Sequence, residues 1–216
     1  MQQALVEFFE TWGCPDALRV DNGLPLGDPG SDLPPPLALW LIGLGVEVLW
    51  NRPYQPTDNA KVERMQGVTV RWAEPRQCAT PQVLQGQLDA VVELQRCHYR
   101  VRHLGGRRRT EAYPDLIEGG RSYRAAGFDL ERVLCFLSRG MWVRKVSKTG
   151  QISFYRQRWH LGARYRRQRV WIHLDREKRQ WVIQDEAGAE VRRVSSAFMT
   201  VSSIGSLSLS QRRGNR

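Results

Sequence analysis

The alternation of apolar and polar residues past position 140 limits most strongly how this chain can fold. MWVRKV, QISFYRQRWHL, RVWIHLD, QWVIQDE and AEVRRV repeat with period two, separated by KTG, GARYRRQ, REKR and AG. Period two sends successive side chains to opposite faces, so these stretches read as five short strands joined by tight turns. Five strands at such close spacing predict a small all-β barrel of the SH3-like kind over residues 137–196. Trp142, Trp159, Trp171 and Trp181 are expected to fill its core.

Upstream, the rhythm is mixed. QQALVEFFETW sets Leu5, Phe8, Phe9 and Trp12 on one helical stripe, and Gly13 stops it. ALRV reads as a short strand ending at Asp21, with Asn22 and Gly23 as turn chemistry. LPLGDPGSDLPPP is too rich in Pro and Gly for regular structure, and a helix over Leu37 to Leu44 follows, ended by Gly45. VEVLW alternates as a strand, and NRPYQPTDN leads over two prolines into the helix AKVERMQGVTVRW. A further helix is expected over residues 82–99. This alternation of helix and strand predicts an α/β layer with a partly parallel sheet over residues 1–118. Residues 119–136 read as a linker with some helix, and the Ser-rich stretch 197–216, ending QRRGNR, as a disordered basic tail.

Charge divides the chain more sharply than its total of +11 implies. Residues 1–137 hold 15 Lys and Arg against 17 Asp and Glu, a balance of −2, whereas residues 138–216 hold 18 against 5, a balance of +13. An excess confined to the C-terminal part points to a polyanionic partner, DNA first, bound through phosphates and counterion release. The 29 Arg against 4 Lys suit phosphate forks. No apolar run approaches the roughly 20 residues that span a bilayer, so no membrane role is expected. Cys14, Cys78, Cys97 and Cys135 lack disulfide or zinc spacing, and His98, His103, His160 and His173 lack ligand spacing. A cytoplasmic, nucleoid-associated protein is expected.

Two carboxylates stand out. Asp21 sits where a strand meets a loop, the place from which α/β layers present ligand-binding groups, although Asp-Asn-Gly taken alone reads first as an Asx-turn. Glu63 lies about one turn into its helix; as the third residue of a capping box it would need an acceptor at Ala60, which has none. RVDNG followed by NRPYQPTDNAKVER resembles the catalytic core of retroviral-integrase-like DDE transposases and integrases of bacterial insertion-sequence type. The residues that carry the likeness are Asp21, Asn22, Gly23, Arg52, Pro53, Tyr54, Pro56, Asn59, Glu63 and Arg64, and HYRVRHLGGRRRTEAYPDL is similar to the stretch that closes such cores.

The resemblance implies an RNase H-like fold for the first part and DNA integration and transposition as the activity. It implies Asp21 and Glu63 as catalytic, metal-binding residues that hold Mg²⁺ or Mn²⁺, with Asn59, Lys61, Arg64 and Arg71 as candidate DNA contacts. Arg144, Lys145, Arg164, Arg166, Arg167 and Arg169 are candidate contacts from the basic C-terminal part. In such chemistry two ions about 4 Å apart activate the attacking oxygen and stabilise the leaving one. The family needs three carboxylates. Before Asp21 the chain has only Glu7, Glu10 and Asp16, none following an apolar strand, so the first ligand is absent. The expectation is therefore a partial DDE recombinase lacking its N-terminal part and inactive as this chain alone, forming a homo-oligomer or associating with a full-length transposase. The alternative is a non-catalytic DNA-binding remnant or regulator of transposition.

Overall fold

The computed structural model describes residues 1–28, 30–115, 120–155, 157–197 and 199–205. It is a mixed α/β protein with antiparallel sheets. Its compact units are not sequential: one takes Met1–Gln2, Asp16–Leu49 and Arg124–Arg216, the other Gln3–Pro15 and Trp50–Tyr123. This division differs from the sequential one read from the sequence, because the 16–49 segment clusters with the basic C-terminal part.

In the first unit, β1 (Ala17–Val20) pairs with β2 (Glu47–Trp50) in a two-stranded sheet. Between them lies α2 (Pro36–Gly43), which follows α1 (Gln2–Trp12) in chain order. PLALWLIG is apolar all round, and Leu37 to Gly43 are all buried. A helix without a polar face must be surrounded. Its neighbours are α6 (Leu130–Ser138) and the short α7 (Val201–Gly205). α6 gives bounds to the helix expected in this stretch, read as a linker with some helix: Leu130, Val133, Leu134 and Leu137 recur at i, i+3, i+4 and i+7, and the last three are at most 1% exposed. Asp129 caps it, its Oδ1 accepting from Glu131 N–H at 2.9 Å. α7 and the buried Met199 and Ile204 fall within the stretch expected to be disordered, while its remainder, 206–216, lies outside the described residues.

The period-two region forms β3 (Met141–Lys145), β4 (Gln151–Phe154), β5 (Gln157–His160), β6 (Arg169–Asp175), β7 (Gln180–Gln184) and β8 (Glu190–Ser195). Four of them make one antiparallel sheet in the order β3-β6-β7-β8. QISFYRQRWHL is not one strand. The chain turns back at Tyr155, φ 45°, so that Ile152 pairs with Trp159 in a separate β4–β5 hairpin. No closed barrel forms among the described residues. One sheet face carries Trp142, Ile172 and Ile183 in register, and the rings of Trp142, Phe154, Trp159 and Trp181 pack together at centroid distances of 4.9–5.8 Å. Trp171 departs from the core expectation. It lies on the opposite face of β6, between Val143 and Gln184, and is half-buried.

The second unit is helical. Phe9 of α1 is 1% exposed and lies 6.3 Å from the Tyr123 ring. α3 (Ala60–Ala73) and α4 (Pro81–Glu93) pack together, with Thr80 capping α4 by accepting from Val83 N–H at 3.2 Å. α4 runs on as a π-helical turn, Leu94–His98, whose buried Gln95 donates to Thr69 of α3 at 3.1 Å. Arg109, which opens α5 (Arg109–Ala112), closes the set by donating to the Gln95 carbonyl at 2.6 Å. Among the described residues no helix is long and apolar enough to cross a membrane.

Candidate active-site carboxylates and cationic surface

Asp21 follows the buried Val20 at the end of β1, so the strand delivers its side chain to the start of the loop. It is exposed, and its Oδ1 accepts from Gly23 N–H at 3.1 Å, an Asx-turn. The same device recurs down the loop: Asp28 Oδ1 accepts from Gly30 N–H at 3.0 Å, and Ser31 Oγ from Leu33 N–H at 3.1 Å. Short polar side chains thus satisfy backbone that has no ladder to join.

Glu63 lies in the first turn of α3 and is exposed; among the described residues no hydrogen bond or ion pair engages its carboxylate. The work of starting the helix falls to its predecessors. Asp58 accepts from Arg52 three times, from the backbone N–H at 3.0 Å, from Nε at 3.1 Å and from Nη2 at 2.8 Å. Asn59 occupies the cap position without a capping bond; its Oδ1 accepts from the buried Asn51 at 2.7 Å. Two motif residues, Arg52 and Asn59, therefore hold the NRPYQPTDN segment in shape. Sequence reasoning missed Asn51 and Asp58 as their partners. The six-residue return from Arg52 to Asp58 over two prolines was the available signal.

Asp21 belongs to the first compact unit and Glu63 to the second. Among the described residues no three His, Cys, Asp or Glu side chains are grouped to hold a metal ion. Two carboxylates, one already engaged by a backbone N–H, fall short of the donor set of a two-ion site. A cavity of about 610 Å³ in the first unit includes neither; its lining carries Arg132, Arg139 and Arg176 with Glu47, Asp129 and Glu131, a balanced set.

The candidate cations separate by their surroundings. Lys61, Arg64 and Arg71 are exposed on α3, and Arg71 Nε donates to the Gly67 carbonyl at 3.3 Å. Arg144 is not open to a partner: its guanidinium forks onto Asp32 at 2.6 and 2.9 Å and lies 5.3 Å from the Phe154 ring centre. That bond holds the Asp32 carboxyl below its ordinary range. Lys145, Arg166, Arg167 and Arg169 are exposed, and Arg164 lies over the Tyr165 ring at 4.5 Å. No family model matches the chain.

Proposed function

We propose that this chain is a DNA-binding protein of the DDE transposase and integrase type that takes part in DNA integration and transposition. In this reading Asp21 and Glu63 stand at two of the three catalytic carboxylate positions. The paired motifs RVDNG and NRPYQPTDNAKVER carry it, because they combine both carboxylates with their flanking residues. The exposure of Asp21 and Glu63 and the lack of any side-chain use for Glu63 among the described residues support it. The RNase H-like layer would contain β1, α2 and β2, and the β3–β8 region would be the SH3-like module, open rather than closed.

Mg²⁺ or Mn²⁺ at Asp21 and Glu63 requires a third carboxylate from beyond the described residues. The 216-residue chain alone is therefore expected to bind duplex DNA without transferring strands. The two-carboxylate donor set equally favours the second reading, a non-catalytic regulator that occupies transposon ends or pairs with a full-length transposase.

The test is a strand-transfer assay with the purified chain in Mn²⁺, run beside a DNA titration. Binding without transfer is the expected result. Transfer that Asp21→Asn abolishes would show that the chain completes its own site, and absence of any DNA binding would remove the reading altogether.

A further inference from the structure

The cations of the first unit fall into two classes. One class is spent within the fold: Arg144 on Asp32, Arg176 and Arg179 both on Glu131, and Arg193 on Asp175 and Glu190. The other class has no acidic partner among the described residues. It includes Arg19, Arg124, Arg139, Arg158, Lys178 and Arg192, scattered along the chain, and a run of six, Lys145, Lys148, Arg164, Arg166, Arg167 and Arg169, all exposed.

The backbone gathers these six onto one edge. Lys145 and Arg169 are direct cross-strand partners. Val146 N–H donates to the Gln168 carbonyl at 2.8 Å and Arg167 N–H to the Val146 carbonyl at 3.0 Å, which binds the 163–168 segment to the end of β3. Leu161 N–H reaches the Gly150 carbonyl at 2.8 Å, bringing the Lys148 turn alongside. Tyr165, 8% exposed, anchors the segment from below. The acids of the neighbouring β7–β8 turn do not neutralise it: Asp185 Oδ1 is taken by Ala187 and Ala189 N–H at 3.0 and 2.9 Å, and among the described residues Glu186 forms no ion pair.

Like charges placed directly opposite across a strand pair destabilise a sheet. Lys145 against Arg169, with four further cations around them and no acid, is an arrangement that folding alone does not favour. A line of phosphates removes the repulsion, and each neutralised phosphate adds to the salt dependence of binding.

We propose that the edge formed by Lys145, Lys148, Arg164, Arg166, Arg167 and Arg169 is the surface that tracks the phosphate backbone of duplex DNA, and that Arg144, Arg176, Arg179 and Arg193 take no part. The choice of DNA rests on the proposed function above; the choice of residues rests on the charge sorting together with the backbone contacts that gather these six on one edge.

The experiment measures affinity for a short duplex DNA across a salt series. The triple variant Lys145→Ala/Arg166→Ala/Arg169→Ala is expected to lower the slope of log K against log salt by about 2 to 3 and to weaken binding about tenfold or more, since each lost phosphate contact removes roughly 0.9 from the slope. Arg176→Ala/Arg179→Ala is expected to leave the slope unchanged. The charge-preserving Lys145→Arg/Arg166→Lys/Arg169→Lys is expected to keep it, which separates charge from folding, and unchanged melting curves confirm the comparison. Binding whose slope the triple variant leaves intact, or that falls with the Arg176/Arg179 pair instead, overturns this surface while leaving the DNA reading standing. Failure of the chain to bind duplex DNA, or binding to duplex RNA in its place, overturns both.

Discussion

Asp32 and Arg144, 112 positions apart, form a two-point ion pair, Oδ1 to Nη2 at 2.6 Å and Oδ2 to Nη1 at 2.9 Å. Trp142 Nε1 donates to the Asp32 carbonyl at 3.1 Å, so the proline-rich segment is fastened to the first strand of the four-stranded sheet at two points. The Arg144 side chain is only 20% exposed, whereas that of Asp32 is 54% exposed, which screens the pair and keeps its worth modest.

Asp32→Ala is expected to cost about 1 kcal/mol at neutral pH, read from a denaturant midpoint. The folded-state pKa of Asp32 is lowered, chiefly by the hydrogen bond from Arg144. Its contribution is therefore complete above the ordinary aspartate value near 4 and lost as pH falls through the lower, folded value. The gap between wild type and variant should stay constant from about pH 5 upward and close in stronger acid. A gap of the same size at pH 2 would contradict the ion pair.

Leu137→Ala tests whether α6, which crosses the boundary between the stretch read as a linker with some helix and the one read as β, belongs to the core. Leu137 is fully buried, and α6 packs on both α2 and β6. Truncating such a leucine costs about 2–5 kcal/mol through lost transfer energy and the cavity left behind. A loss below about 1 kcal/mol in thermal or denaturant unfolding would mean that residues 130–138 do not belong to the core. Deleting residues 138–216 would be a poor test of DNA binding, because it removes α7 from α2 and β6 from α6.

Local chemistry was legible where one segment carries its own signal. Gly13 ends α1, ALRV stops at Asp21, and the five period-two stretches all contain strands. Relationships between distant segments were not legible. Nothing in LPLGDPGSDLPPP announces that Asp32 meets Arg144, and a four-residue ALRV gives no sign of which unit it joins. QISFYRQRWHL failed for a different reason: read as one strand it sends Trp159, seven residues on, to the face opposite Ile152, whereas the turn at Tyr155 makes the two direct cross-strand partners. LERVLCFL carries a clear helical stripe, which the reading of 119–136 as a linker with some helix left without bounds. At the carboxylates, the residue types were readable but the partners of Arg52 and Asn59 were not.

Gly150→Ala should be damaging although the adjoining residues 147–149 are exposed, because Gly150 itself is buried. Gly150 has φ +77°, and a Cβ there would lie 2.6 Å from the Gly162 carbonyl oxygen and 2.9 Å from its carbon, both backbone atoms that cannot swing aside. Gly188 has nearly the same φ, +79°, with nothing within 4 Å. Gly188→Ala therefore isolates the conformational cost, about 1 kcal/mol. Gly150→Ala adds the clash and should cost at least about 2 kcal/mol. Equal losses at the two positions in parallel melts would rule out the close approach.

The last prediction separates a residue that builds α3 from one that α3 carries. Asp58 accepts three hydrogen bonds from Arg52, and its side chain is 9% exposed. Asp58→Ala leaves the Arg52 backbone N–H and guanidinium without that acceptor and should cost about 2 kcal/mol, with faster amide exchange at the start of the helix. Glu63→Gln changes a carboxylate that no described side chain or N–H engages. The change gives up only its attraction to the helix N-terminus, a few tenths of a kcal/mol at such exposure. Asp21→Asn keeps the acceptor for Gly23 N–H and should also be close to neutral. Two acids that can be neutralised without loss of stability have no structural reason to be charged, which is what a catalytic role requires of them. A loss from Glu63→Gln as large as that from Asp58→Ala, measured by the same denaturant titration, would make Glu63 a structural residue and weaken the assignment of both.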